Sequence, residues 1–186
     1  MTRIRDENTN TPELWDSLHE KEHNGGMFQQ FKRFFDLGYL PQDEEFSILD
    51  IGCGSANYIH KLAPMYQKVT WGGLDFSPVV IAKNKRGNPN ATFYELDIMK
   101  DNIPDVYDYI VSMHTFEHFD DPDLALQKCV EMCRKKVIIC VPFGDAWGNA
   151  PEHVHKFTEN DPWNNWEDIN IIDSKEVFFI FNGEAE

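Results

Sequence analysis

Two groups of histidines carry the most reactive side chains in this sequence. His114, Glu117 and His118 fall within five residues of one another, and a second group lies in Pro151-Glu-His-Val-His-Lys-Phe-Thr158. An imidazole titrates near neutral pH, so His118 or His155 is suited to take the proton of a reacting hydroxyl. His114, Glu117, His118 and His155 also offer the nitrogen and oxygen ligands that hold a divalent metal, and such an ion would orient and acidify a hydroxyl. A third reading has these groups only shaping and closing a pocket. Two histidines and an acid after a strand more often form a hydrogen-bonded shell than a metal cage, so the metal is not the favoured reading.

Three acids, Asp50, Asp75 and Asp97, each follow or close an apolar run. Asp50 stands within Ile48-Leu-Asp-Ile-Gly-Cys-Gly-Ser-Ala-Asn57, where apolar residues lead into two glycines at which backbone can approach a small molecule closely. A dinucleotide site needs Gly-x-Gly-x-x-Gly and an unopposed pyrophosphate, whereas here Asn57 fills the sixth position and Asp50 disfavours a dianion. An NAD-dependent oxidoreductase is therefore the weaker reading. S-adenosylmethionine carries an ammonium and a sulfonium and no phosphate, which suits an acid-flanked glycine loop. A carboxylate at the second strand end, Asp75, can accept hydrogen bonds from both hydroxyls of a ribose.

The elements that would position these groups alternate. Strand-like runs fall at 46–51, 69–75, 91–96, 107–112 and 136–141, with helical patterns at 55–66, 78–86 and 121–134. This alternation predicts βαβ units around a parallel sheet, whose strand ends bring the three acids to one edge. Upstream, Thr11-Pro-Glu opens a short helix, and residues 27, 28, 31, 34, 35 and 37 place apolar side chains on one face of a second. Residues 142–166 form a long loop, and 169–172 with 177–181 read as a terminal hairpin around Asp173-Ser-Lys-Glu176. Trp147, Trp163 and Trp166 in that loop either stack on a substrate or cover the sheet edge, and Trp15 either lids the cofactor or packs its helix. Cys129 and Cys133, four apart on the predicted helix, read as core.

At 186 residues and 41% hydrophobic content, one domain with one core is expected. The four cysteines lack paired metal-site spacing and read as reduced thiols. A formal net charge of −15 disfavours a nucleic-acid partner and favours a small-molecule one. No apolar run reaches signal-peptide or membrane-span length, so a soluble, cytoplasmic protein is expected. Nothing in the sequence fixes its oligomeric state.

Four motifs in order resemble those of class I S-adenosylmethionine-dependent methyltransferases, in the broad group that includes ubiquinone-type O-methyltransferases. They are Leu49-Asp-Ile-Gly-Cys-Gly-Ser55, Gly73-Leu-Asp-Phe-Ser-Pro78, Glu95-Leu-Asp-Ile98 and the run Tyr107 to Pro122. The resemblance implies an α/β, Rossmann-like doubly wound fold, with a mostly parallel seven-stranded sheet ending in an antiparallel C-terminal hairpin strand. It implies one methyltransferase domain over 1–186, with 1–40 as a candidate lid and 46–182 as the core. Gly52, Cys53 and Gly54 would line the methionine part of the cofactor, Asp75 the ribose, Phe76 the adenine face, Asp97 and Ile98 the adenine edge, and Met113 the methionine moiety. Ala56 stands where the family often has a third glycine. The histidine and acid set is similar to the metal site of small-RNA 2′-O-methyltransferases. The expected reaction is methyl transfer to a small molecule at oxygen. A noncatalytic S-adenosylmethionine-binding protein and a metal-assisted 2′-O-methyltransferase stand as alternatives.

Overall fold

A computed structural model describes residues 1–21, 27–144, 150–158, 161, 163, 168–172 and 176–185. In order, its elements are β1 (Thr2–Arg3), α1 (Pro12–Lys21), α2 (Met27–Asp36), β2 (Phe46–Ile51), α3 (Asn57–Leu62), β3 (Val69–Asp75), α4 (Pro78–Gly87) and β4 (Thr92–Glu95). They continue as β5 (Tyr107–Met113), a 3-10 turn (Phe116–His118), α5 (Pro122–Glu131), β6 (Cys133–Pro142), β7 (His155–Lys156), β8 (Asp168–Ile172) and β9 (Glu176–Asn182).

The main sheet has seven strands in the order β4-β3-β2-β5-β6-β9-β8. Strands β2 to β6 pair in parallel, while β9 runs antiparallel to both β6 and β8. This is the expected doubly wound arrangement, and it gathers the ends of β2, β3, β4 and β5 along one edge. Alternate residues of each central strand feed opposite faces. Ile48, Tyr109, Val111, Ile138 and Phe178 join a core with α2, α3 and α4. Leu49, Ile51, Ile110, Ile139 and Phe179 join the other core, with α5.

Local chemistry sets the helix starts. Ser77 Oγ accepts from Val80 N at 3.1 Å and Asp121 Oδ1 from Leu124 N at 3.0 Å, each ahead of a proline at the first helical position. On α2, Phe31, Phe34 and Phe35 are fully buried, each contributing about 2 kcal/mol by leaving water. Phe35 stacks on Tyr66 at 3.7 Å between centroids, and Phe31 on Tyr58 at 4.5 Å.

Beyond shifts of a residue or so at several element ends, the sequence expectation is corrected at α3, at the α5–β6 junction and in the loop after β6. Helix α3 is shorter than 55–66 because Gly54 and Ala56 both have positive φ, so the helix begins only at Asn57. Helix α5 stops at Glu131, and Cys133 already pairs with Tyr107 as the first residue of β6. Cys129 and Cys133 therefore occupy different elements, although both are buried and all four thiols are free. The loop after β6 contains β7, which pairs antiparallel with β1. Residues 173–175, expected as a turn, and Trp147 and Trp166 lie outside the described residues. Among the described residues no helix is long and apolar enough to cross a membrane.

Candidate active site

The glycine loop is fixed by its neighbours on both sides. Gly52 N and Cys53 N donate to Leu74 O at 2.8 and 3.0 Å, tying the turn to the end of β3. Gly54 N donates to Asp75 Oδ2 at 3.0 Å, and Ser77 N donates to Asp75 Oδ1 at 2.9 Å. Asn84 Nδ2 reaches down from α4 to Gly54 O at 2.6 Å. Gly52, at φ +70°, packs so closely that a Cβ there would lie 2.3 Å from Thr115 Oγ1. Ala56 takes φ +45° despite its methyl group, a left-handed conformation that costs a side-chain-bearing residue about 1–2 kcal/mol.

Beneath this loop lies a cavity of about 570 Å³. Asp50, Gly52, Cys53, Gly54, Asp75, Phe76, Asp97, Ile98 and Met113 all line it. The two inner acids are buried, Asp50 to 3% and Asp75 to 5% exposure. Asp50 Oδ2 accepts from the Tyr58 hydroxyl, while Oδ1 is buried without a hydrogen-bond partner among the described residues. Burial pushes the Asp50 carboxyl up to about 7; the Tyr58 bond pulls it down and the Asp75 charge pushes it further up. Asp97 accepts from Met99 N at 2.9 Å and from Lys100 Nζ at 2.7 Å.

At the β5 end of the cavity stand His114, Glu117, His118 and His153. His114 has φ +52°, a strained conformation held by its N–H to Cys140 O at 2.8 Å. Its Nε2 lies 3.0 Å from Glu176 Oε1 and its Nδ1 3.7 Å from Glu117 Oε1. Burial opposes a charge on His114, but the Glu176 hydrogen bond and the charges of Glu117 and Glu176 together raise its pKa above the ordinary value. His118 Nδ1 lies 2.9 Å from Glu152 O. A carbonyl only accepts, so the hydrogen resides on Nδ1, and Nε2 of the neutral ring keeps its lone pair. That Nε2 is 3.8 Å from Glu117 Oε1. Glu117 is 1% exposed, and neither of its carboxylate oxygens has a hydrogen-bond partner among the described residues. Burial lowers the pKa of His153.

The ligand atoms of Glu117, His118 and His153 lie within 4.8 Å of one another. Their nitrogen and oxygen types fit a divalent ion. His114 stands beside this set through Glu117, whereas His155 does not join it. His155 lies on β7, buried, paired with Arg3 across β1, and it does not line the cavity. The place expected for it is taken by His153, two residues earlier.

Sequence reading offered residues 1–40 and Trp15 as a lid but missed Arg5, Asn8 and Asn10. Asn8 Nδ2 donates to His118 O at 3.0 Å and Asn10 Nδ2 to Glu152 O at 2.8 Å. Trp15 Nε1 donates to Asn10 Oδ1 at 3.0 Å, with its ring edge-on to His118 at 4.8 Å between centroids. Arg5 Nε adds a bond to His153 O at 3.0 Å. Two-residue strands and single asparagines leave no periodic signal. Trp163, by contrast, is 2% exposed and packs against Phe116, Phe157, Phe179 and Phe181, so it covers the sheet and not the cavity.

The sheet order, with the glycine turn and the acids ending successive strands along one edge, is the Rossmann-like fold shared with class I methyltransferases. Residues 48–136 match the family model described as a methyltransferase domain. The chain is similar to the malonyl-[acyl-carrier protein] O-methyltransferase of Bacillus cytotoxicus, 30% identical over 53% of this chain and 35% of that protein. It is also similar to the trans-aconitate 2-methyltransferase of Escherichia coli, 25% identical over 63% of this chain and 46% of that protein. The chain thus spans less than half the length of these two relatives. Among solved structures, the N-methyltransferase NodS from Bradyrhizobium japonicum, in complex with S-adenosylhomocysteine, superposes with a TM-score of 0.69 at 16% identity, over 94% of this chain and 98% of that one.

Proposed function

We propose that this chain transfers the methyl group of S-adenosylmethionine to a hydroxyl oxygen of a small molecule. The observation that carries the reading is the cavity itself: every side chain and glycine expected to hold the cofactor lines it, and its other end is walled by Glu117, His118 and His153. S-adenosylmethionine supplies an electrophilic methyl on a sulfonium. In this reading Asp50 faces the cofactor's ammonium, Asp75 its ribose, Phe76 with Asp97 and Ile98 its adenine, and Met113 the methionine chain.

At the acceptor end, His118 Nε2 would take the proton of the acceptor hydroxyl, whose oxygen would receive the methyl that S-adenosylmethionine supplies when bound. The imidazolium so formed sits 3.8 Å from the buried Glu117 carboxylate, which stabilises it. Among the described residues the acids at the acceptor end are Glu117, Glu152 and Asp120, of which Asp120 pairs with Arg3 at 2.9 Å, leaving Glu117 and Glu152 as the acids facing the acceptor. That balance favours an uncharged hydroxyl over a carboxylate acceptor. Asn8, Asn10 and Trp15 close this end and keep water from the reacting atoms.

A second reading rests on Glu117 alone. A buried carboxylate without a hydrogen bond beside two imidazoles suits a divalent cation, with Glu117, His118 and His153 as its ligands and the acceptor hydroxyl bound opposite. One experiment separates the readings: a methyl-transfer screen over phenols, sugars, carboxylates and amines, with and without chelator. Activity on a hydroxyl compound that survives chelation supports His118 as base, and loss restored by metal supports the ion. Binding of S-adenosylmethionine with no S-adenosylhomocysteine released from any acceptor would make the chain a noncatalytic binder. Binding of NAD in its place would overturn the reading.

A further inference from the structure

Tyr58 belongs to none of the motifs that mark the cofactor site, yet its hydroxyl donates to Asp50 Oδ2 at the floor of the cavity. Both side chains are buried, at 5% and 3% exposure. Tyr58 stands on the first turn of α3, just past the left-handed Ala56, and its ring stacks on Phe31 of α2 at 4.5 Å and 17°. Its orientation is therefore set by packing and does not depend on the acid. The other Asp50 oxygen, Oδ1, is buried and has no hydrogen-bond partner among the described residues. An aspartate so arranged has one oxygen occupied and one left for a ligand.

We infer that Tyr58 is a positioning residue for the cofactor: by holding one oxygen of Asp50 it fixes the carboxylate's rotamer and favours its ionised form, presenting the other oxygen to the cofactor's ammonium. This rests on the S-adenosylmethionine reading above. The titratable groups acting on Asp50 are Tyr58, Asp75 and Cys53. Tyr58 itself is held well above the ordinary tyrosine range by burial, so it remains a donor throughout the working range of pH. Burial and the Asp75 charge disfavour the Asp50 charge and the Tyr58 bond favours it, while Cys53, held by burial well above the ordinary thiol range, stays neutral beside them. Cofactor loading then selects the ionised carboxylate, and the proton that Asp50 held in the empty chain goes to solvent.

The test is calorimetry on the full chain with S-adenosylmethionine and with 5′-methylthioadenosine, which has the nucleoside and thioether but no amino-acid part. In the unsubstituted chain, titrations near neutral pH in buffers of different ionisation enthalpy should show a fraction of a proton released on S-adenosylmethionine binding and none on methylthioadenosine binding. Tyr58→Phe should weaken S-adenosylmethionine at least about tenfold near neutral pH, the size expected for a lost hydrogen bond to a charged group. The loss should shrink as pH is raised and Asp50 ionises unaided, and methylthioadenosine affinity should not change. No proton release, an equal loss for both ligands, or a loss independent of pH would each overturn the role of Tyr58. Failure of the unsubstituted chain to bind either ligand would instead remove the cofactor reading on which the proposal stands.

Discussion

The backbone N–H of Gly54 donates to Asp75 Oδ2 at 3.0 Å, so the acid that ends β3 also organises the glycine loop after β2. Its other oxygen takes the N–H of Ser77 at 2.9 Å, at the cap of α4. Both oxygens keep lone pairs for a ribose. Asn at this position offers one acceptor oxygen in place of two, so it cannot serve Gly54 and Ser77 together. Asp75→Asn should weaken S-adenosylmethionine by about 1–3 kcal/mol and lower unfolding stability by a similar amount. Calorimetry and denaturant melts measure the two effects, and a cofactor affinity equal to that of the unsubstituted chain would exclude Asp75 from the ribose.

Gly52 combines a positive φ of +70° with a close approach to Thr115. Gly52→Ala should therefore fail twice, through backbone strain of about 1–2 kcal/mol and through collision with the threonine side chain. Adding Thr115→Gly removes the collision and leaves the strain. The pair should recover part of the lost thermal stability relative to Gly52→Ala alone. If the double variant is no more stable than the single one, the Thr115 contact is not what excludes a side chain.

Asp50 makes stability depend on pH in a direction opposite to a salt-bridged acid. Its ordinary pKa is 3.8, and burial raises it to about 7 in the folded chain. Between those values the folded state holds more protons than the unfolded one, so stability is full below the lower value and is lost as pH rises through the upper. Asp50→Asn removes this dependence, because a neutral amide has no charge to desolvate. It should melt higher than the unsubstituted chain at about pH 8, by on the order of 1 kcal/mol or more, with the gap closing toward pH 4. The same variant should bind S-adenosylmethionine poorly. Thermal melts across pH, paired with calorimetry, test both halves.

That Asp50, Asp75, Asp97 and the glycine loop share one cavity was legible because they sit at strand ends, and parallel βαβ order carries strand ends to one edge. Ile48, Leu49 and Ile51 announce β2, and Asp50 with the two glycines announces the turn. The α5–β6 boundary was not legible, since Cys129 and Cys133 satisfy helical spacing although a strand begins at Cys133. Tyr58 was invisible for a related reason: an aromatic residue at the start of a helix reads as core, and only the fold brings its hydroxyl to Asp50. The acceptor end depends on contacts between the two ends of the chain, such as Asn10 to Glu152 and Thr2 to Lys156. No local pattern records these.

His153 and His155 make the same point at the level of a single turn, and they supply the sharpest test of the site. His153 N closes a turn onto Ala150 O at 3.1 Å, and Val154 N then bonds Glu117 O at 2.8 Å before the chain enters β7. The turn leaves His153 at the cavity and carries His155 into the small sheet with β1. His118→Asn should lower turnover by about 10²–10⁴, the range for a general base, while leaving S-adenosylmethionine affinity near its original value, because His118 lies at the acceptor end. His155→Ala should do the converse, lowering stability through the β1–β7 pairing with turnover falling no more than the folded fraction does. A His155 variant that folds fully yet is inactive would return that residue to the chemistry, and an active His118→Asn enzyme would leave methyl transfer here to alignment alone.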